Sequence, residues 1–327
     1  MVRKKIGILH PHIHENATED EKDVLVQVEA ISKAIRKLGF NPVPVNFDLN
    51  LESVAIALRK LNPAFVFNLV EAVNGCGSLI HLAPSLLDHL EIPYTGSGTE
   101  AMFITSNKLV GKIFLEASGI TTPKAYTLSS LKKEAPAKGR YIVKSVWEHA
   151  SIGMSQDSVF TAKRASEIIS MLEKAGKRVK GGCFCEEYID GREFNAAILA
   201  GPDGPQVLPP AEILFVNYPS GKPKIVDYRA KWATDSFEYL NTDRSFDFDP
   251  EDKMIIKSIK ATAIKCWNLL GLKGYARVDF RVDESGKPWV LEINANPCLS
   301  PNGGFAVASA LVGLDFSMIV KRIIADI

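Results

Sequence analysis

Arg277, Asp279, Glu292 and Asn294 interrupt two apolar runs near the end of the chain. Two carboxylates with an amide oxygen two residues beyond the second are hard oxygen ligands, suited to a magnesium ion that also holds a nucleotide's phosphates. The four would then form a metal and phosphate site. An ordinary two-sided hairpin with solvated charges explains the same residues as well, so the rest of the chain has to decide.

The elements that must position them follow from pattern. Tyr275-Ala276-Arg277-Val278-Asp279-Phe280 and Trp289-Val290-Leu291-Glu292-Ile293-Asn294 flank the turn-rich linker from Asp283 to Pro288, so an antiparallel hairpin is expected. Alternation along a strand gives Arg277 and Asp279 one face and Glu292 and Asn294 another, and pairing brings the two over one small volume.

At 327 residues, 46% hydrophobic and 24% charged, the composition is that of an ordinary globular protein with room for two or three packed lobes. A net charge of +1 gives no sign of nucleic acid as a partner. The five cysteines contain no CxxC pair, which fits reduced thiols better than a disulfide framework or a zinc site. No apolar run approaches membrane-spanning length, and the basic N-terminus lacks a long apolar core. A cytoplasmic protein without a membrane partner is the expectation.

Three lobes are expected, over residues 1–105, 106–190 and 191–327. In the first, Lys5 to Leu9, Asn41 to Phe47 and Ala64 to Leu69 read as strands, with helices opening at the capping box Thr18-Glu19-Asp20-Glu21 and spanning Leu51 to Leu61. Such alternation argues for a parallel sheet covered on both faces. No GxGxxG follows the first strand, which weakens a dehydrogenase reading. His10, His12 and His14 alternate and could bind a metal, or make loop hydrogen bonds and substrate contacts. Glu71, after the run Phe65 to Val70, stands where open parallel sheets bind ligands, or is a solvated strand end. In the second lobe, Asn107-Lys108 opens a helix, and Tyr141 to Lys144 is a strand delivering a lysine to the small-residue loop Trp147 to Ser155. Backbone N–H groups of such a loop, centred on Ser151, can wrap phosphates.

Taken in order, Phe67 to Gly77, Ile92 to Gly98, Asn107-Lys108, Val143-Lys144, Glu186 to Glu193, Asp227 to Trp232, Arg277 to Phe280 and Leu291 to Pro297 resemble the D-alanine–D-alanine ligases of the ATP-grasp superfamily across nearly the whole chain. The resemblance implies an α/β protein with the ATP-grasp fold: an N-terminal Rossmann-like parallel-sheet lobe, then two α+β lobes gripping ATP. It implies Lys108 and Lys144 on ATP phosphates, Glu186, Glu187 and Ile189 along the adenine edge, Glu193 on the ribose and Leu291 beneath the base. Ser151 belongs with this nucleotide set. Lys231 would meet the terminal phosphate, and Asp279, Glu292 and Asn294 would hold magnesium, two ions by the family pattern, with manganese as an alternative. Arg277 would stabilise charge developing at the reaction centre. The implied activity is ATP-dependent ligation of a carboxylate to an amine through an acyl phosphate, with small-molecule substrates and homodimerisation through the first lobe.

The substrate side departs from the family. Its loop after the first strand is here His10-Pro11-His12-Ile13-His14-Glu15-Asn16, with Asp20 or Glu21 as the nearest carboxylates for a substrate amine. Glu71 replaces a histidine, Ala150 a serine and Trp232 the tyrosine that bonds it. Asn296, Ser300, Gly303 and Gly304 are the candidate substrate contacts after the metal motif, where the family has a glycine, then a serine and leucine. Changed polar partners argue for changed substrates. The alternatives are D-alanine–D-alanine ligase itself and a nucleotide-binding module without catalysis.

Overall fold

A computed structural model describes every residue except Met1, Val2, Asn16, Ala135, Ala150 and Lys180, and the side chain of Asp20. Its strands are β1 (Lys5–Pro11), β2 (Asn41–Phe47), β3 (Val66–Asn68), β4 (Ala125–Tyr126), β5 (Gly139–Ser145), β6 (Val159–Ala162), β7 (Cys183–Glu187), β8 (Arg192–Leu199), β9 (Gln206–Val207), β10 (Ala211–Phe215), β11 (Thr242–Ser245), β12 (Tyr275–Val282) and β13 (Pro288–Asn294). Its helices are α1 (Glu19–Lys37), α2 (Leu51–Leu61), α3 (Leu82–His89), α4 (Thr99–Ser106), α5 (Lys108–Ala117), α6 (Ala165–Gly176), α7 (Tyr228–Trp232), α8 (Phe237–Leu240), α9 (Lys253–Leu269), α10 (Gly304–Ala310) and α11 (Phe316–Ile324).

The first sheet, β2-β1-β3, is parallel throughout, as alternating strands and helices require. Thr18 opens α1, its backbone N–H donating to the Glu21 carboxylate at 2.9 Å. The stripe Val24, Val28, Ile31 and Ile35 is buried. The second sheet, β4-β7-β5-β6, is antiparallel and has its own small core around Tyr141, Ile168 and Leu172. The third runs β11-β10-β8-β12-β13 with β9 on β8, all antiparallel.

Each sheet lies inside one of the three expected lobes, but two of the cores cross their limits. Met102, Leu115 and Ile120, around α4 and α5, pack with Val278, Phe280 and α9 residues Ile259 and Cys266 on the large sheet. The helix that begins with Lys108 is therefore seated on the large sheet. Ile6, Ile8, Ile31 and Ile35 of the first lobe share a core with Leu199, Tyr275, Val320 and Ile323. The chain ends in two helices, α10 and α11, with Gly313 at φ +77° in the break between them. All five cysteines are free, and among the described residues no helix is long and apolar enough to cross a membrane.

Candidate active site

β12 and β13 pair with Asp279 opposite Glu292 and Arg277 opposite Asn294. Directly opposed residues share a face, so all four stand on one side of the sheet while Val278 and Phe280 enter the core on the other. β8 adds Asn195 opposite Asp279 and Glu193 opposite Arg281 on that polar face. The register slips between Asp279 and Phe280, leaving Leu291 without a partner. A bulge of this kind suspends alternation, and Leu291 and Glu292 line the same cavity as a result.

That cavity is lined by every nucleotide-side residue expected from sequence: Lys108, Lys144, Ser151, Glu186, Glu187, Ile189, Glu193, Lys231 and Leu291, together with Arg277, Asp279 and Glu292. Asn107 caps α5, its Oδ1 accepting from the Leu109 and Val110 N–H groups at 3.1 Å, and so fixes Lys108 in the first turn. Lys108 Nζ donates to the Glu148 carbonyl at 2.8 Å and stands 3.6 Å from Glu292 Oε2. One turn on, Lys112 Nζ donates to Thr122 Oγ1 at 2.7 Å and to the Pro123 carbonyl at 2.8 Å. It also lies 2.7 Å from Glu186 Oε2, an ion-pair contact outside hydrogen-bond geometry. The other Glu186 oxygen is 2.6 Å from Lys144 Nζ. With its side chain only 1% exposed, Glu186 is spent on orienting Lys144. Burial pushes the Glu186 acid up, but Lys112 and Lys144 prevail and hold it below the usual carboxylate range.

Burial lowers the ammonium groups of Lys108 and Lys231, with Arg277 adding to the effect on Lys231. Among the described residues Lys231 makes no hydrogen bond or ion pair, so its three donors are open to an anion. Ser151, at φ +62°, donates from Oγ to the Val226 carbonyl at 2.7 Å and fixes the loop over the cavity. Glu193 is paired to Arg281 at 2.9 Å, and burial raises its acid. These residues fit a nucleoside triphosphate, since lysines, carboxylates and apolar side chains line one cavity.

The metal set was tested on its donors. Arg277 holds both Asp279 oxygens, Nε at 2.7 Å and Nη2 at 2.8 Å, and Asn195 Nδ2 adds a third bond at 2.8 Å. Burial would raise the Glu292 acid, but Lys108, His149 and Lys231 hold it far below the usual range, so it presents an ionised carboxylate. Asn294 Oδ1 accepts from the Asn296 N–H at 3.0 Å and lines the adjoining chamber. Hard oxygens on one sheet face beside the lysines of the nucleotide cavity fit magnesium. Among the described residues no three His, Cys, Asp or Glu side chains gather as a metal site, so the metal reading of His10, His12 and His14 is not supported. His10 is buried with Nδ1 2.9 Å from the Pro11 carbonyl, while His12 and His14 stack edge to face at 4.8 Å on the second chamber's wall.

This second chamber is lined by Glu21, Asp23 and Glu71 and by Arg277, Gly303 and Gly304. Gln27 Nε2 donates to Glu71 at 2.9 Å. Asn296 and Ser300 do not reach the wall. Asn296 is buried, accepting from the Tyr275 hydroxyl and donating to the Val70 carbonyl at 2.9 Å, and so ties the lobes together. Ser300 Oγ donates to Asp23 at 2.7 Å. His149, Lys231 and Arg277 are among the residues that line both chambers, so the two adjoin there. Among the described residues His149 Nε2 is buried without a partner, as is Trp232 Nε1 on the second wall. Asn16, Ala150 and the Asp20 side chain lie outside the described residues.

Sequence reading passed over Lys112, Asn195, Arg281, Asp23 and His149. Lys112 is four residues after Lys108, and Asn195 and Arg281 keep the period of two set by Glu193 and Asp279, so those three carried a signal. Asp23 meets Ser300 across 277 positions and carried none.

A family model described as D-ala D-ala ligase C-terminus matches residues 125–325. The D-alanine–D-alanine ligase of Carboxydothermus hydrogenoformans is 30% identical over 332 residues, covering 98% of this chain and 97% of its own. That of Pseudomonas putida strain GB-1 is 32% identical over 302 residues, 91% of this chain and 86% of its own. The fold matches the crystal structure of D-alanine–D-alanine ligase from Bacillus anthracis complexed with ATP at a TM-score of 0.73 and 21% identity, covering 99% and 97% of the two chains. It also matches the VanG D-Ala:D-Ser ligase of Enterococcus faecalis at 0.70 and 19%, covering 99% of each. The chain thus belongs to the D-alanine–D-alanine ligase family and is an ATP-grasp enzyme that forms carbon–nitrogen bonds.

Proposed function

We propose that this enzyme joins two amino acids, with a pair other than two D-alanines as its preferred substrates. The observation that carries this is the shared lining: Arg277 and Lys231 line both a nucleotide chamber with the family's residues and a second chamber whose wall has changed. In the reaction, a donor carboxylate oxygen attacks the terminal phosphorus of ATP, the bond to ADP breaks, and an acyl phosphate forms. The acceptor amine then attacks the acyl carbon, losing a proton as phosphate leaves with the electron pair of the broken C–O bond.

Lys108, Lys144 and Ser151 serve the phosphates, Glu187, Ile189 and Leu291 the base, and Glu193 the ribose. Lys231 steadies the transferred phosphoryl group, and Arg277 offsets charge that builds at the acyl centre. Magnesium, two ions or manganese in their place, would be held by Asp279, Glu292 and Asn294 and would neutralise phosphate charge. Small carboxylates and amines are then the partners, in the cytoplasm where ATP is made available.

A second reading, ligation of two D-alanines, is favoured by relatives of that name that align along nearly the whole chain. Backbone N–H groups at Gly303 and Gly304 would then replace side-chain contacts. Phosphate release and product mass across panels of L- and D-amino acids decide between them: strong activity with D-alanine alone establishes the second reading and removes the first. Asp279→Asn and Glu292→Gln should each lower turnover by about a hundredfold or more, as losing transition-state charge stabilisation does. Full activity in both would remove the proposed metal site.

A further inference from the structure

The polar face of the large sheet does not end at β8. Ile213 of β10 lies opposite Glu193, and Arg244 of β11 lies opposite Ile213, so Arg244 stands on the same face as Arg277 and Asp279, at the sheet's edge. Its guanidinium reaches the start of α10: a Cβ placed on Gly304 would sit 3.1 Å from Arg244 Nη1. The missing side chain at 304 leaves the room that the guanidinium uses. Among the described residues its side chain has no hydrogen bond or ion pair. The neighbouring Asp243 turns its carboxylate to the Arg244 backbone N–H at 2.7 Å.

Lys231, Arg277 and Arg244 are the lysine and arginine side chains on the second chamber's wall, and the first two are shared with the nucleotide chamber. Those two must serve the phosphoryl group and the donor carboxylate that attacks it. Arg244 lies away from that centre. Carboxylates line this chamber as well, Glu21, Asp23, Glu71 and Asp243 among them, but among the described residues none pairs with the Arg244 side chain, and an open fork of donors fits a second substrate carboxylate, one that takes no part in bond making.

We propose that Arg244 binds the free carboxylate of the acceptor, so that the acceptor is an amino acid or peptide with an unblocked C-terminus and not a simple amine. This deepens the ligase reading and rests on it.

The test measures amide product by mass and ADP release with L- and D-amino acids as acceptors, each beside its carboxamide, for the parent, Arg244→Ala and Arg244→Lys. The parent should prefer acid to carboxamide by at least tenfold. Arg244→Ala should raise the acceptor KM about tenfold or more and erase that preference, leaving the ATP KM within twofold. Arg244→Lys should recover part of the preference as a point charge. A merely structural residue would lower kcat for acids and carboxamides alike. A parent that takes carboxamides as well as acids, or an Arg244→Ala enzyme that keeps the preference, overturns the assignment while leaving the ligase standing. Absence of amide product from the parent with every acid overturns the ligase reading, and the assignment with it.

Discussion

His149 has a ring that the family resemblance did not single out, yet it lines both chambers with Nε2 buried and, among the described residues, unpartnered. Burial, with Lys108 nearby, pushes its imidazolium down to about 3. In an unfolded chain the same ring takes up a proton near pH 6.5 (roughly). Above that value neither state is charged and the ring costs nothing. As the pH falls below it, the unfolded chain binds a proton that the folded one refuses, and stability drops by up to about 1.4 kcal/mol per pH unit. His149→Gln should therefore flatten the decline in urea midpoint between about pH 6.5 and 4. Superimposable pH curves for variant and parent would show that the ring is solvated. At this scale the sequence was readable where residue type and short spacing carry the chemistry, as with Asp279, Glu292 and the lysines. It was silent on partners that meet only across lobes: nothing near Ser300 announces that Asp23 will take its hydroxyl.

The hairpin of β12 and β13 was legible because alternating apolar residues and a turn allow little else. Its bulge was not. Strict alternation turns Leu291 away from Glu292, whereas the slip beside Asp279 lets both face the nucleotide chamber. The slip is set by contacts from a distant segment: the Val290 N–H donates to the Thr121 carbonyl at 2.9 Å, and Thr122 Oγ1 donates to the Val290 carbonyl at 2.8 Å. Removing Leu291 should therefore leave Asp279 paired with Glu292 and Phe280 with Val290, a regular ladder. The ATP KM should rise about tenfold or more, in line with the roughly 1.5–3 kcal/mol of burying a leucine. Thermal unfolding should stay cooperative. Loss of the fold on deletion would mean that the extra residue holds the strand in place.

Over the whole molecule, lobes and cores partition differently. The parallel sheet of the first lobe was readable from its alternating strands and helices. The sharing of Ile6, Ile8 and Ile31 with Val320 and Ile323 was not, since apolar stripes state that a face is buried but not against what. The first lobe and the large sheet should consequently open as one unit, while the β4-β7-β5-β6 sheet, with its own core, opens separately. Hydrogen exchange read by mass spectrometry should give amides of β1 and β12 one protection free energy and those of β5 a lower one. Equal protection in all three sheets would contradict this.

The two chambers adjoin, with His149, Lys231 and Arg277 among the residues that line both. A single molecule carrying an adenosine unit on one side and an amino-acid phosphonate on the other could occupy both chambers at once. The second half would bind at the effective concentration set by its tether, of order millimolar for a short flexible link, so two weak fragments would combine into one tight inhibitor. Asn195, Ile213 and Arg277 of the large sheet line both chambers, so the two halves of such a compound would rest on one element.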